Sequence, residues 1–389
     1  LNRALPRLTK WPTSQKIFYK TNGKSYQVGE LLKQLDLANS LQAISQQGEK
    51  AFYQGDIAKN ISESVQQAGG LISLNDMNNY HAVERQPVKG NYRGYQVLSM
   101  PPPSSGGIHI VQLLNMLENY PLSEYGFNSA KTIHLMSESM RRAYADRASY
   151  LGDSDFVDVP LKALTSKDYA KQLTQKINLN KATDSQTIKA GKVTPYESNQ
   201  TTHFSIVDKW GNAVSNTYTL NFSYGMGLVA KGTGILLNNE MDDFSSKPGE
   251  PNGYGLIGGE ANAIEAHKRP LSSMSPTILL KDNQPYLVTG TPGGSRIITT
   301  TLQIILNVLD HKMNIAQATA SPRIHHQWLP DYIRYEQGIS PDTIELLEAK
   351  GHKLKQQVTM GSTQTIMRNE NGVYGASDPR TPSALSLGY

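Results

Sequence analysis

Alternation of apolar and polar side chains marks a hairpin just past the middle of the chain. Residues 202–207 alternate in this way, which is the period-two pattern of a half-buried strand. The polar run 208–212 contains Gly211 and predicts a turn, and 213–221 predicts the returning strand. The pattern therefore predicts two antiparallel strands joined by a short loop.

Thr201 stands at the entrance to this hairpin. Folding the hairpin symmetrically about Trp210 places Thr201 across from Thr219, where two hydroxyls can bond across strands. A threonine that begins a strand after a polar segment is what an N-terminal threonine nucleophile requires, because cleavage before it frees the α-amine to act as a base. Threonine is also common in ordinary strands, so the hairpin by itself leaves both interpretations open.

The first 200 residues predict mainly helices, with short strands between them. Apolar residues recur there at helical spacing, and glycine, proline or a capping residue marks the ends. The predicted elements are a helix from Gly55-Asp56 to Gly69-Gly70, a strand pair over 88–98 about the turn 91–94, an apolar helix over 108–117 after the loop 101–107, and a longer helix capped by Asn128-Ser129 with Gly152 as its C-cap glycine.

A polar segment, 183–200, lacks apolar periodicity and predicts an exposed linker that ends directly before Thr201. Backbone cleavage is sterically possible in such a segment. The chain thus divides into a first part, 1–200, and a second part, 201–389. The second part predicts strands at 234–238, 277–281 and 286–289 and a helix over 296–310.

A double glycine, Gly293-Gly294, follows the third of these strands and precedes the helix. A glycine turn at a helix N-terminus points backbone N–H groups at an anion, and an oxyanion hole uses this geometry. A tight turn that needs glycine for its torsion angles explains the same pattern.

Two further clusters carry polar chemistry. Carboxylates and amides gather at 238–244, where they could hold an ammonium group or a metal, although the spacing of a calcium loop is absent. Hydroxyls and N–H groups at 269–277 suit a carboxylate, or they belong to an ordinary serine-rich loop.

His325 and His326 are adjacent and point apart in a strand, which favours packing over a shared metal site.

Composition narrows the classes of function. The 38% hydrophobic and 18% charged residues predict a globular protein, and the net charge of +5 is dispersed, which argues against nucleic-acid binding. No apolar run is long enough to span a membrane, and the first residues lack the apolar stretch of a signal peptide. The absence of cysteine excludes disulfides, thiol nucleophiles and cysteine metal sites.

Several ordered motifs together resemble the gamma-glutamyltransferase (gamma-glutamyltranspeptidase) family, of the bacterial periplasmic type. The resemblance runs nearly from end to end. It implies an α+β fold, the four-layer αββα sandwich of the N-terminal-nucleophile hydrolases, and a precursor that cleaves itself into two subunits between Gln200 and Thr201. The motifs are PPSSGG at 102–107, RAYADR at 142–147, LLNNEMDDF at 236–244, RPLSSMSPT at 269–277 and PGGSR at 292–296.

The resemblance also implies roles for particular residues. Thr201 is similar to the nucleophile of processing and of catalysis, and Thr219 to the threonine bonded to it. The remaining residues match the family as follows: Asn221, Glu240 and Asp243 on the substrate α-amine, Ser272 and Ser273 on its α-carboxylate, Gly293 and Gly294 as the oxyanion hole, and Tyr254 at the closing position of a lid loop over 248–258.

The activity implied is transfer of the γ-glutamyl group of glutathione, or of another γ-glutamyl compound, to water or to an amino acid or peptide acceptor. The resemblance implies no metal or organic cofactor, no nucleic-acid or membrane partner, and a periplasmic or secreted location. Family members begin well before the first residue of this chain, and that segment supplies an arginine for the α-carboxylate. The alternatives are a catalytically impaired γ-glutamyl-binding fragment, a relative acting on poly-γ-glutamate, and an acylase.

Overall fold

The structure, a computed structural model, describes residues 1–188 and 201–388. The chain forms two compact units, one made of Leu1–Arg85 with Leu220–Glu240 and the other of Gln86–Thr219 with Met241–Tyr389. These units do not follow the division at residue 200, which concerns cleavage and stays a prediction.

The helices of the described residues are mostly short, and the longest is α9. Their bounds are α1 Leu5–Leu8, α2 Pro12–Phe18, α3 Leu35–Gln47, α4 Glu49–Tyr53, α5 Asp56–Gln67, α6 Leu74–Asn79, α7 Gly106–Leu117, α8 Leu122–Tyr125, α9 Ala130–Tyr150, α10 Leu161–Leu164, α11 Lys167–Thr174, α12 Arg296–Leu309, α13 Ile315–Ala320 and α14 Pro341–Ala349.

The strands lie between and after these helices. Their bounds are β1 Val88–Tyr92, β2 Tyr95–Ser99, β3 Thr202–Val207, β4 Ala213–Tyr218, β5 Thr277–Lys281, β6 Gln284–Thr289, β7 Ile324–His325, β8 Ile333–Glu336, β9 Leu354–Gln357, β10 Gln364–Asn369 and β11 Gly372–Ser377.

The first unit packs helices α1 to α6 around the returning segment Leu220–Glu240. Val229 joins a cluster with Leu8 and Phe18, and Ala230 joins one with the predicted apolar face of α5. The prediction of a regular strand at 234–238 is wrong. Gly234 has a φ of +69°, and the segment meets 226–230 through an isolated antiparallel bridge between Val229 and Leu236 and a few backbone hydrogen bonds, without forming a regular strand.

The second unit is built on an antiparallel sheet in which the described residues supply six strands, in the order β1-β2-β5-β6-β10-β11. Helices α7 and α12 are buried along their whole length. The two helices pack on each other, with α7 also on β1 and β2, and the buried polar side chains Gln303 and Asn307 of α12 donate to backbone carbonyls. The predicted strand pair over 88–98 and the predicted apolar helices are confirmed.

Helix α9 begins as predicted, with the Ser129 hydroxyl accepting a bond from the Thr132 N–H at 3.2 Å. The predicted C-cap glycine is wrong. The helix ends at Tyr150, and Leu151 already has an extended backbone. Glycine is needed at Gly152 for another reason, because a Cβ there would lie 2.2 Å from the Ala261 carbonyl oxygen.

The predicted exposed linker, 183–200, falls mostly on residues 189–200, which lie outside the described residues. Its first part is anchored. Ser185 is fully buried, its N–H donates to Asp331 Oδ2 at 2.9 Å, and its carbonyl accepts from the Trp328 indole N–H at 2.9 Å. The exposure predicted for the linker therefore does not hold at Ser185.

Within the described ranges, none of the helices has the length and apolar character that a membrane crossing requires.

Candidate active site

Strands β3 and β4 form the predicted hairpin, with Thr202 opposite Tyr218 and Val207 opposite Ala213. The same register places Thr201 opposite Thr219, and the Thr201 hydroxyl donates to the Thr219 hydroxyl at 3.4 Å. The predicted pairing of the two threonines is thus confirmed, and their catalytic roles stay predictions.

The turn of the hairpin is fixed by one carboxylate. Asp208 Oδ1 accepts from the backbone N–H groups of Trp210 and Asn212, at 2.9 and 2.8 Å. An aspartate that bonds backbone N–H groups two to four residues ahead holds a tight turn closed. This local chemistry sets the register that brings the two threonines together.

His203 fixes the start of β3 against the six-stranded sheet. Its ring bonds Thr217 Oγ1 at 2.8 Å and Ser205 Oγ at 3.1 Å, and it lies so close to Gly290 that a Cβ there would be 2.3 Å from the ring. Burial lowers the pKa of His203 to about 4, so the imidazole is neutral. Thr201, two residues earlier, is thereby held near the end of β6.

The segment that follows β6 makes the glycine turn predicted from the sequence. Gly293 and Gly294 have φ angles of +143° and +56°, and their carbonyls accept from the N–H groups of Arg296 and Ile297 to begin α12. The ring of Tyr254 covers this turn, since a Cβ on Gly294 would lie 2.4 Å from ring carbons of Tyr254. Only glycine fits beneath the tyrosine.

Gln327 connects the glycine turn to the loop that carries Tyr254. Its amide group donates to the Gly255 carbonyl at 3.0 Å and to the Tyr254 carbonyl at 3.4 Å. Its side-chain oxygen accepts from Ser295 Oγ at 2.8 Å. Sequence reasoning missed Gln327, because a lone glutamine beyond the His325-His326 pair has no local signature of this task.

The serine pair is held by the proline- and serine-rich loop at 101–107. Ser272 N–H donates to the Pro103 carbonyl and Ser105 N–H to the Ser272 carbonyl, both at 2.9 Å. The Ser272 hydroxyl accepts from the Met274 N–H at 3.0 Å. Two motifs far apart in the sequence thus form one surface, a pairing that the sequence did not predict.

Asp243 lies in the same unit as the serines, and its charge raises the pKa of Arg147 against the larger effect of burial. Its carbonyl accepts from Asn262 Nδ2 at 2.7 Å. Asn221 and Glu240 belong to the other unit, where Asn221 Nδ2 donates to the Asn239 carbonyl at 2.9 Å. Their predicted roles on the substrate ammonium stay predictions.

The two adjacent histidines are packing residues, as predicted. His325, at the end of β7, bonds Thr299 Oγ1 at 2.8 Å, and His326, directly after the strand, bonds Asp331 Oδ1 at 3.2 Å. Among the residues the structure describes, no cluster of three or more histidine, aspartate or glutamate side chains has the arrangement of a metal site.

Comparison with known proteins places this chain in a family. The family model described as Gamma-glutamyltranspeptidase matches residues 1–387. The chain belongs to the gamma-glutamyltranspeptidase family. The gamma-glutamyltranspeptidase resemblance drawn from the motifs is therefore confirmed.

Curated gamma-glutamyltranspeptidase relatives include proteins of two names. The chain is 58% identical over 377 residues to a glutathione hydrolase proenzyme of Escherichia coli K12, covering 97% of this chain and 65% of the relative. It is 36% identical over 372 residues to an acylase ACY 1 proenzyme of Pseudomonas sp. strain SE83, covering 94% of this chain and 64% of the relative. The chain thus spans about two thirds of the length of such relatives.

A solved structure shares the fold of this chain. The cephalosporin acylase of Bacillus halodurans superposes with a TM-score of 0.82 at 25% identity, over 97% of this chain and 68% of the acylase chain. The predicted α+β fold of the N-terminal-nucleophile hydrolases is confirmed.

Proposed function

We propose that the chain carries the catalytic centre of a γ-glutamyl acyltransferase and glutathione hydrolase, with Thr201 as its nucleophile. The observation that supports this most directly is the contact of Thr201 with the Thr219 hydroxyl at the first position of the hairpin. A hydroxyl at the very start of a strand becomes an N-terminal nucleophile once the preceding peptide bond is cut.

Processing makes the catalyst. The Thr201 hydroxyl attacks the carbonyl of Gln200, which lies outside the described residues, and the peptide bond becomes an ester. Water hydrolyses the ester and leaves Thr201 with a free α-amine. Such an amine has a pKa of about 8, near working pH, and serves as a general base.

Turnover uses the same hydroxyl. The α-amine takes the Thr201 proton as its oxygen attacks the γ-carbonyl of the substrate, and it returns the proton to the departing amine. The γ-glutamyl ester is then cleaved by water or by the amine of an amino acid or peptide. The N–H groups of Gly293 and Gly294 stabilise the oxyanion, a contribution of about a hundredfold or more in rate for each donor.

The substrate is recognised by the ammonium and the carboxylate on its α-carbon, at the end of the γ-glutamyl group away from the γ-carbonyl. The ammonium binds Asp243, and the carboxylate binds Ser272 and Ser273. The ammonium roles that the family resemblance gives to Asn221 and Glu240 stay predictions. Tyr254 covers the glycine turn from above. A lid of this kind favours small γ-glutamyl compounds over poly-γ-glutamate.

Thr201→Ala in the full-length protein tests the proposal. The alanine variant is expected to remain one uncut chain on a denaturing gel and by mass spectrometry, because the attacking oxygen is gone. Thr202→Ala is the matched control. Its side chain is exposed on the opposite face of β3, so it should process normally and hydrolyse γ-glutamyl-p-nitroanilide. Two bands from Thr201→Ala would show that Thr201 does not cleave the precursor.

A second candidate is an acylase on amides whose acyl group lacks the ammonium, favoured by the likeness to the ACY 1 proenzyme and to the cephalosporin acylase. Glutaryl-p-nitroanilide tests it, because its acyl group keeps the carboxylate and lacks the amine. A higher kcat/KM for this compound than for the γ-glutamyl anilide would favour the acylase.

The third candidate function applies to these 389 residues by themselves, as a catalytically impaired fragment that binds γ-glutamyl compounds. We place the full-length protein in the periplasm or outside the cell, as the family resemblance of its motifs implies.

A further inference from the structure

The RAYADR motif at 142–147 takes no part in the mechanism proposed above. Its last residue, Arg147, nevertheless contacts Ser273 of the serine pair. Arg147 lies in the final turn of α9 and is only 3% exposed. Its Nη2 donates to Ser273 Oγ at 3.2 Å, and its Nε donates to Ser105 Oγ at 3.0 Å. One buried guanidinium therefore contacts both serine-containing loops.

These contacts form a connected path into the loop 271–273. The Ser105 hydroxyl that accepts from Arg147 donates in turn to the Ser272 carbonyl at 2.9 Å. Arg147 Nη2 also lies 3.4 Å from the Leu271 carbonyl. Arg147 thereby holds each of three successive residues in the loop, two directly and one through Ser105.

The bonds also decide which way the two serine hydroxyls can point. A hydroxyl has a single hydrogen to donate. Ser273 Oγ already accepts from Arg147, and Ser272 Oγ already accepts from the Met274 N–H. Each oxygen thus has a donor on its protein side, which leaves its own hydrogen for an anion.

The charge of Arg147 is expensive to bury. Burial lowers the pKa of this guanidinium to about 10, although Tyr144 and the Asp243 carboxylate act in the opposite direction. A positive charge taken out of water gains most from a nearby anion. Asp243 lies on the side where we place the substrate ammonium, so the unit offers one buried cation and one carboxylate to a zwitterion.

We propose that Arg147 is a positioning residue for the substrate α-carboxylate, which it serves by orienting and polarising Ser273 and by fixing the loop of Ser272. This inference rests on the proposed function, because it assumes that the serine pair receives that carboxylate. Arg147 acts through the serines, and its positive charge adds to their attraction for the anion.

The test uses three p-nitroanilides that differ in the charges of the acyl group. The γ-glutamyl compound has both charges, the glutaryl compound only the carboxylate, and the 4-aminobutanoyl compound only the ammonium. Arg147→Met in the full-length protein should lower kcat/KM for the first two about tenfold to a hundredfold and for the third less than about threefold. Arg147→Lys keeps the charge and should give a smaller loss with the same selectivity.

Arg142→Met is the matched control for loss of a buried arginine on the same helix. Arg142 bonds the Glu138 carboxylate at 2.7 Å and the Lys176 carbonyl at 2.8 Å, away from the serine loops. Its substitution should change all three anilides by one common factor. A purely structural role of Arg147 predicts that same uniform loss, so uniform loss in both Arg147 variants would overturn the proposal.

A double-mutant cycle with Ser273→Ala separates direct from indirect action. If Arg147 acts through Ser273, the carboxylate-selective effect of Arg147→Lys should shrink at least severalfold when the hydroxyl is absent, because coupled residues are not additive. Full additivity would contradict the assignment. Failure of the proposed function looks different: the unsubstituted protein would then lack a free N-terminal Thr201 and would hydrolyse no γ-glutamyl anilide.

Discussion

At the scale of single residues, the hairpin end of the candidate site is held by a neutral side chain in a buried position, His203. His203 is 5% exposed and bonds only neutral hydroxyls, on Thr217 and Ser205, in the contacts described above. A charged imidazole would have no stabilising anion among these bonds. The fold therefore keeps His203 neutral, and its protonation must weaken the packing of β3.

Acid should accordingly destabilise the protein through His203. The unfolded histidine takes up a proton near pH 6.5, whereas the folded one does so only near pH 4. The unfolded state binds more protons between these values, so the free energy of unfolding falls as pH drops from 6.5 to about 4, by up to about 1.4 kcal/mol per pH unit.

Urea unfolding at several pH values measures this slope. His203→Gln should make the slope of the unfolding free energy against pH shallower by up to about 1.4 kcal/mol per pH unit. Thr202→Ala, at an exposed neighbour in β3 that does not titrate, is the control and should leave the slope unchanged. An unchanged slope in His203→Gln would contradict the neutral buried imidazole.

Substitution of Asp243 tests recognition of the substrate ammonium, as substitution of Arg147 tests recognition of the carboxylate. Asp243→Asn should reduce kcat/KM for the γ-glutamyl and 4-aminobutanoyl anilides, because loss of one partner of a charge pair that the bound substrate buries costs about 2–5 kcal/mol. The glutaryl anilide, which lacks the ammonium, should be spared. Cleavage before Thr201 should also survive, because no substrate ammonium takes part in it. A variant that processes poorly and binds γ-glutamyl substrate normally would contradict this role.

At the scale of elements, the site depends on how β6, the glycine turn and α12 meet the loop 248–258. The Tyr254 ring of this loop lies against Gly294, and the Gln327 side chain donates to the loop backbone at the Gly255 carbonyl. Gly253 N–H adds a bond to Asp242 Oδ2 at 2.9 Å. A few hydrogen bonds therefore decide whether the loop stays over the glycine turn.

Gln327→Leu should loosen this loop. The substitution leaves the Tyr254 and Gly255 carbonyls without that donor, which costs about 1–3 kcal/mol. Chymotrypsin cleavage after Tyr254 should become faster, and kcat/KM for γ-glutamyl-p-nitroanilide should fall.

Gln303→Leu is the control for the loss of a buried glutamine. Its amide donates to the Thr299 and Ile324 carbonyls, at 2.7 and 2.8 Å, and does not touch the loop. It should lower stability to urea without exposing Tyr254. Equal protease sensitivity of the two variants would show that Gln327 does not restrain the loop.

At the scale of the whole molecule, the hairpin turns an apolar face outward. Phe204, Ile206, Val214 and Tyr218 are 39% to 57% exposed, whereas His203 faces the sheet. Exposed apolar patches of this kind promote association. The chain also spans 65% of the length of its Escherichia coli relative.

A protein of these 389 residues should consequently be less active than its full-length form. The family resemblance implies a further arginine in the part of such relatives that these 389 residues do not match. Without that arginine the carboxylate has the serine hydroxyls that Arg147 orients, and neutral hydrogen bonds of this kind are roughly half as strong as charge-assisted ones. A misplaced γ-carbonyl lowers kcat as well as affinity.

The comparison uses γ-glutamyl-p-nitroanilide at equal concentrations of free N-terminal threonine, with sedimentation to detect association. Ile206→Thr should reduce association of the 389-residue form without restoring its activity. Equal kcat/KM in the two forms would show that these 389 residues hold the whole substrate site.

The sequence by itself determined the features that depend on near neighbours. Period-two alternation and the Asp208 turn specified the hairpin and its register, because a hairpin register follows from the turn that closes it. Helical periodicity and a serine cap located α9, and the strand–glycine–helix order located the turn at Gly293-Gly294. The ordered motifs were enough to identify the family.

The tertiary structure alone decided the features that depend on distant partners. The apolar alternation in β3 does not tell which face is buried, and the inward face is the polar one because Gly290 leaves room for the His203 ring. Gly152 is required by the approach of Ala261, and 234–238 forms only an isolated bridge with 226–230, between Leu236 and Val229. Arg147 and Gln327 act across 126 and 72 residues of sequence, and local periodicity carries no information about contacts at that separation.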